Sequence, residues 1–149
     1  MDISIRHAGK DDAEAVLRMV KSFYSVSGYE KHIPLDDETC MGLINLSIDL
    51  GLCSVADNDK LIGFVMGITA PAIMNKNYLI GCELAWWVDP EYRGKVGTRL
   101  LKHIENSEQE MGLKMWSMVA LESQNPEMVE KIYLNSGYEK TEMTYTRFN

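Results

Sequence analysis

A chain of 149 residues with 46% hydrophobic and 25% charged side chains has the size and balance of one folded domain over 1–149, which argues against a disordered tail, a fibrous repeat or two separate cores. Fifteen basic against 22 acidic residues leave a net charge of -7, so bulk electrostatics oppose binding to phosphate polymers and no nucleic-acid partner is expected. The apolar stretch 61–74 is interrupted by Gly63, Gly67, Thr69 and Pro71 and is shorter than the roughly 20 residues of a membrane helix; with no apolar signal segment at the start, a cytoplasmic protein without membrane contact is expected.

Ile3 and Ile5 alternate with polar residues and predict a short first strand. Asp11 or Asp12 then caps a helix on which Ala13, Val16, Leu17, Val20, Phe23 and Tyr24 keep helical spacing. Asp36 and Asp37 open a second helix with Cys40, Leu43 and Ile44 on one face, and Gly51 stands where its C-cap belongs. The runs 52–56 and 61–68 flank Asp57-Asn58-Asp59 and predict a hairpin. Residues 78–88 form a long aromatic and aliphatic strand that Asp89-Pro90 stops.

A third helix is expected over 98–111, with Leu100, Leu101 and Ile104 inward and Gly112 at its end. Residues 115–121 look like a strand buried on both faces. Asn125-Pro126 supplies an N-cap and a proline at the first helical position for a fourth helix, striped by Met128, Val129, Ile132 and Tyr133 and ended by Gly137. A last strand is expected over 138–148. The order β-α-α-β-β-β-α-β-α-β implies an α/β fold with a mixed sheet covered by about four helices.

The segment from Glu83 to Leu101 carries the clearest chemistry. A strand ends, a glycine-containing loop follows and a helix begins, which aims unpaired N–H groups and the positive end of a helix dipole at one point and suits an anion such as a pyrophosphate. Gly94 and Gly97 allow close approach to the main chain. Arg93, Lys95, Arg99 and Lys102 crowd the start of this helix and Glu105, Glu108 and Glu110 its end. That order forgoes the ~0.3–1 kcal/mol that each correctly placed charge contributes through the dipole, and a bound anion would remove the conflict.

The run PEYRGKVGTRLL, preceded by ELAWWV and followed further on by IYLNSGYEKTE, resembles the acetyl-coenzyme A binding and C-terminal motifs of the GCN5-related N-acetyltransferases (GNAT). Family loops read Gln/Arg-x-x-Gly-x-Gly/Ala; counted from Arg93, the fourth and sixth positions here are Val96 and Thr98, and alignment through Gly97 and Leu100-Leu101 leaves the loop one residue short. The resemblance implies a mostly antiparallel mixed sheet and acetyl-coenzyme A as cosubstrate. Its pyrophosphate would lie on Arg93, Gly94, Lys95, Val96, Gly97 and Thr98, with Asn125 in the same binding set. It also implies that the strand ending at Val88 splays from the 115–121 strand, freeing the backbones of Trp86 and Val88 to pair with the pantetheine arm as an added strand. Trp86 and Trp87 point to opposite faces, so one lines the cleft and the other packs in the core.

Acyl transfer to an amine needs a base, because an amine of pKa near ~10 must lose its proton to attack, and an acid for a departing thiolate of pKa near ~8.5. Tyr133 matches the tyrosine that the family uses as proton donor to sulfur. Glu83, a carboxylate in an apolar strand, stands near the position of the family's glutamate base, with Glu122 in reserve; burial of a carboxylate calls for a partner or a function. Cys82 is the candidate for a covalent route, although no histidine lies near it. Cys40, Cys53 and Cys82 are odd in number and lack a C-x-x-C pair, so free thiols are expected. His7, His32 and His103 have no metal-ligand spacing, and no metal is expected.

The reading is therefore a single-domain acetyltransferase acting on a primary amine by direct attack in a ternary complex, with a homodimer possible. A GNAT-fold binding or regulatory domain without turnover is the alternative, since a fold alone does not establish activity. A nucleotide-binding protein is a further alternative, opposed by the absence of a Gly-Lys-Ser/Thr ending in the loop.

Overall fold

The computed structural model describes residues 2–149. In chain order the elements are β1 (Ser4–His7), α1 (Ala13–Val26), α2 (Asp37–Leu50), β2 (Cys53–Asp57), β3 (Leu61–Ala72), β4 (Asn75–Val88), α3 (Lys95–Glu110), β5 (Met115–Ser117) and α4 (Pro126–Asn135), with 3-10 turns at Lys10–Asp12 and Pro90–Tyr92. One sheet holds the five strands in sequence order, β1 to β4 antiparallel and β5 parallel to β4. Among the described residues no helix is long and apolar enough to cross a membrane.

Local chemistry sets the boundaries. Asp36 opens α2 by accepting the Thr39 N–H at 2.9 Å, and Gly51 closes it in the left-handed region at φ 77°, where a side chain would be strained. Two apolar layers sandwich the sheet. Val16, Met19 and Val20 of α1 and Ile44 of α2 pack on Val55 and Phe64 on one face, while Leu100 and Ile104 of α3 pack on Ile62, Val65 and Val88 on the other. Burying each such side chain contributes about 1.5–3 kcal/mol relative to leaving it exposed.

A β-bulge in β4 decides which residues meet the functional face. Met66 pairs with Ala85 but its neighbour Gly67 pairs with Glu83, so Leu84 is an extra residue on β4. Leu84 and Ala85 both join the α1/α2 layer, Trp87 stays with them, and Trp86 and Val88 join the α3 layer. The two tryptophans thus take opposite faces, as the strand period requires.

The structure corrects several expectations. No strand forms over 138–148; after α4 the chain has no regular element, because β5 is only three residues long and offers little ladder to extend. Residues 118–121 are not strand, and Met115 is 55% exposed, since β5 is an edge strand paired only with β4 rather than a strand buried on both faces. Helix α3 begins at Lys95, three residues before the expected start. Leu43 and Met128 face solvent, so α2 buries Ile44 and Ser47 and α4 buries Tyr133. Asn125 precedes α4 at φ 46° without a side-chain capping bond.

Candidate active site

Strands β4 and β5 stay together for three pairs, Ile80↔Met115, Gly81↔Trp116 and Cys82↔Ser117, and then part. Beyond Cys82, β4 has β3 on one edge only. The Asp89 N–H donates to Ile62 O at 2.7 Å, and the register from Gly63↔Val88 to Met66↔Ala85 is regular. Antiparallel alternation therefore turns the backbone groups of Trp87 and Ala85 toward β3 and those of Trp86 and Val88 toward the split. One of these acceptors is engaged, because Arg93 Nε donates to Val88 O at 2.9 Å. The Trp86 N–H and C=O and the Val88 N–H present a short strand edge to a ligand.

At the upper end of the split lies the start of α3. Gly94 precedes it at φ 124°, ψ -120°, no side chain caps it, and its first turn holds no acidic residue. The amides of Gly94, Lys95, Val96 and Gly97 are the ones that helix geometry leaves without intrahelical acceptors, and with the dipole they offer the geometry that an anion seat requires. Val96 turns its side chain into the core, so only its N–H serves that seat. Arg93 is turned away: besides bonding Val88 O, its guanidinium lies over the Trp87 ring at 4.6 Å, where it staples the loop to the strand end. Thr98 donates its hydroxyl to Lys95 O at 2.9 Å. Asn125 is exposed and its side chain makes no capping bond.

The two proposed proton-handling groups converge on one peptide unit. Glu83 Oε1 accepts the Val119 N–H at 3.1 Å, and the Tyr133 hydroxyl donates to Val119 O at 2.6 Å. Glu83 is 7% exposed, and burial pushes its carboxyl up to about 7, with the Val119 N–H opposing the rise. Burial, the Glu83 charge and the Tyr138 charge push the Tyr133 phenol above its ordinary value, so Tyr133 keeps its proton. Its ring stands 5.9 Å from Trp86 and 5.5 Å from Tyr138 between ring centroids. Val119 escaped the sequence reading because a backbone partner carries no side-chain signature.

Cys82 is half-buried, and burial followed by the Glu83 charge pushes its thiol up, which disfavours the thiolate a covalent route needs. His103 bonds Ser54 Oγ through Nδ1 at 2.7 Å and touches His7 edge-on at 4.7 Å, while His32 stacks on Phe148. Glu122 is exposed. Among the described residues no group of three or more His, Cys, Asp or Glu is placed to hold a metal ion.

Three buried side-chain atoms among the described residues lack a hydrogen-bond partner: Trp86 Nε1, Trp116 Nε1 and Glu105 Oε2. Trp86 and Trp116 pack in the α3 layer, and Glu105 belongs to α3 and faces the Tyr138 hydroxyl. Each unsatisfied buried group costs about 1–3 kcal/mol, and all three belong to this side of the sheet. Two indole donors, a free strand edge and an uncapped helix start fit an extended polar molecule with an anionic end, as coenzyme A is.

A split sheet edge running up to an open helix N-terminus, with a carboxyl and a phenol at its inner end, is the frame of an enzyme for an anionic, amide-bearing cosubstrate. Residues 14–130 match the model of the Acetyltransferase (GNAT) family, and the chain belongs to that family. No curated protein matches it significantly in sequence. Among solved structures, it is similar to a predicted acetyltransferase with acetyl-CoA from Clostridium acetobutylicum, at 19% identity and TM-score 0.75 over 98% of this chain and 96% of the other. It is also similar to a ribosomal-protein-alanine N-acetyltransferase from Brucella melitensis biovar Abortus 2308, at 18% identity and TM-score 0.73 over 99% of both chains. A third likeness is to an aminoglycoside acetyltransferase from an uncultured soil metagenomic sample in complex with sisomicin, at 14% identity and TM-score 0.72 over 97% of this chain and 95% of the other.

Proposed function

We propose that this protein transfers an acetyl group from acetyl-coenzyme A to a primary amine, on a small molecule or a protein, by direct attack within a ternary complex. The observation that carries this reading is the Val119 peptide: it holds a buried carboxyl, which burial pushes up to about 7, and a phenol on its two ends, beside a strand edge that is free to pair.

In this reading the amides of Gly94, Lys95, Val96 and Gly97 hold the pyrophosphate, with Lys95 and Thr98 at its margin and Arg93 bracing the loop, and Asn125 at the start of α4 joins the coenzyme's binding set. The backbones of Trp86 and Val88 take the pantetheine arm as an added strand. The coenzyme supplies an activated thioester carbonyl. Ionised Glu83 takes a proton from the incoming ammonium, directly or through water, and leaves an amine lone pair to attack. The amine attacks the thioester carbonyl; as the C–S bond breaks, Tyr133 lets go of Val119 O and gives its proton to the departing sulfur, and the second proton of the attacking nitrogen returns to the phenolate, leaving the neutral amide. The acceptor arrives cationic, and the net charge of -7 favours its approach; polyamines, aminoglycosides and the lysine or N-terminal amines of proteins all qualify. The reading places the enzyme in the cytoplasm.

The test is a panel of such amines incubated with acetyl-coenzyme A, with thiol release as readout. Saturable release with at least one acceptor is expected. Tight coenzyme binding with no release across the panel would favour a regulatory domain, and no binding at millimolar coenzyme would remove the anion seat from the argument.

A further inference from the structure

Strand alternation puts Trp87 and Asp89 on the same face of β4, two residues apart and turned toward α1. There the Trp87 indole Nε1 donates to Asp89 Oδ1 at 3.0 Å. Arg18 of α1 sets its guanidinium 3.7 Å from Asp89 Oδ2 and donates to Leu61 O at 2.8 Å. An aspartate ahead of a proline-opened turn ordinarily caps that turn. Asp89 does not: no side-chain bond caps Pro90–Tyr92, and the residue is 9% exposed, so its carboxylate is turned back and buried on other partners.

The main chain of Asp89 is committed as well. Its N–H donates to Ile62 O at 2.7 Å, and its carbonyl accepts the Tyr92 N–H at 2.9 Å. The bonds to Ile62 and Arg18 draw the end of β4 toward β3 and α1, away from the split. Beyond the turn the chain comes back on itself. Arg93 lays its guanidinium over the Trp87 ring at 4.6 Å and donates from Nε to Val88 O at 2.9 Å. Trp87 is therefore the middle member of a relay, held by Asp89 through its nitrogen and holding Arg93 through its face. The Gly94 turn, at φ 124°, departs from Arg93 and takes its direction from where Arg93 is held.

We propose that Asp89 is a positioning residue for the coenzyme, acting through Trp87 and Arg93 to keep the Trp86 and Val88 edge and the Gly94 turn in one arrangement before any ligand arrives. The inference rests on the coenzyme reading given above. Its physical content is preorganisation: a strand end that frays must be reordered on binding, and that ordering is subtracted from affinity. Glu83 and Tyr133 stand outside the relay, bonded to Val119 instead, so the relay governs binding rather than proton transfer.

Calorimetry with coenzyme A on a double-mutant cycle tests it. Asp89→Ala and Trp87→Phe are each expected to weaken binding by about tenfold, and the double variant to be no weaker than either, since both cut the same path. Asp89→Asn keeps an oxygen for the indole and should bind within about threefold of the parent. Amide hydrogen exchange without ligand should be faster over 87–93 in Asp89→Ala and Trp87→Phe, parent-like in Asp89→Asn, and unchanged in α2 throughout. Trp87→Phe leaves the carboxylate paired with Arg18 and so asks the same question if Asp89→Ala does not fold. A parent that binds no coenzyme would overturn the reading of the site and the inference with it. Where the parent binds, equal affinity in either single variant, additive losses in the double, failure of Asp89→Asn to restore binding, or unaltered exchange over 87–93 would each overturn the inference and leave the reading standing.

Discussion

Glu83 is held in surroundings that suit its neutral form, which links its protonation to the stability of the fold. An unfolded chain releases this proton near 4.5, whereas the folded chain keeps it to about 7. Between those values the folded state binds more protons, so stability falls as pH rises through that window, by an amount on the order of 3 kcal/mol for a shift of this size. Glu83→Gln keeps an oxygen for the Val119 N–H and abolishes the titration. Thermal melts from pH 4 to 8 are expected to show the variant gaining on the parent as pH rises, while turnover falls and the acidic limb centred near 7 vanishes from the rate profile; parallel melting curves would mean that Glu83 titrates normally. Tyr133→Phe loses the proposed proton donor and a buried hydrogen bond, and turnover should drop roughly ten- to ten-thousand-fold with the coenzyme dissociation constant nearly unchanged in calorimetry. Both side chains were legible in the sequence, one as a carboxylate in an apolar strand and the other through its motif. That they meet on Val119 was not, since backbone groups are identical at every position and only the chain path selects one.

At the scale of elements, α3 shows both what periodicity reveals and where it stops. Leu100, Leu101 and Ile104 are buried as their spacing requires, yet the helix starts at Lys95 because Gly94, with φ 124°, makes the turn that the loop had been assigned. The shift moves Gly97 into the first helical turn. A Cβ there would meet Trp86 Cζ2 at 3.5 Å, an ordinary contact, and Ala exceeds Gly in helix propensity by about 1 kcal/mol. Gly97→Ala is therefore expected to raise the melting temperature. Gly97→Glu puts a carboxylate in the first turn, which the dipole favours by ~0.3–1 kcal/mol, so the fold should hold while the charge repels phosphate. Calorimetry is expected to show coenzyme affinity reduced at least tenfold with the melting temperature preserved; unaltered affinity would put the phosphates elsewhere. The segment 138–148 has a strand's composition and no strand's structure. Pairing is a property of two edges, and sequence reasoning sees the segment but not whether an edge lies within its reach.

Over the whole molecule the mixed α/β architecture was readable because two layers of helix stripes and β-runs leave few other packings. The depth of the split was not readable, because it depends on how β5 seats on the sheet. Trp116 lies across two glycines: a Cβ at Gly67 would sit 2.4 Å from Trp116 Cη2 and 2.4 Å from Cys82 O, and one at Gly81 would sit 2.9 Å from Trp116 Cε3. The Cys82 carbonyl is backbone of β4, so it cannot swing aside as a side-chain tip would. Gly67 is also the residue opposite Glu83 at the bulge, which ties the seat of the tryptophan to the placement of the carboxyl. Gly67→Ala must push Trp116 off the sheet and shift β3 from β4, an overpacking that costs about 1–3 kcal/mol. The expected outcome is a lower melting temperature together with lost turnover, because β5 carries the chain into Val119 and displaces both proposed proton-handling groups at once. Met66→Leu, a swap of similar volume in the α1/α2 layer next to the bulge, is the control and should leave turnover within a few-fold. If Gly67→Ala instead lowered stability while leaving the pH-rate profile and turnover at parent levels, the site would be independent of how β5 is seated, and the Val119 peptide would not be what couples sheet to chemistry.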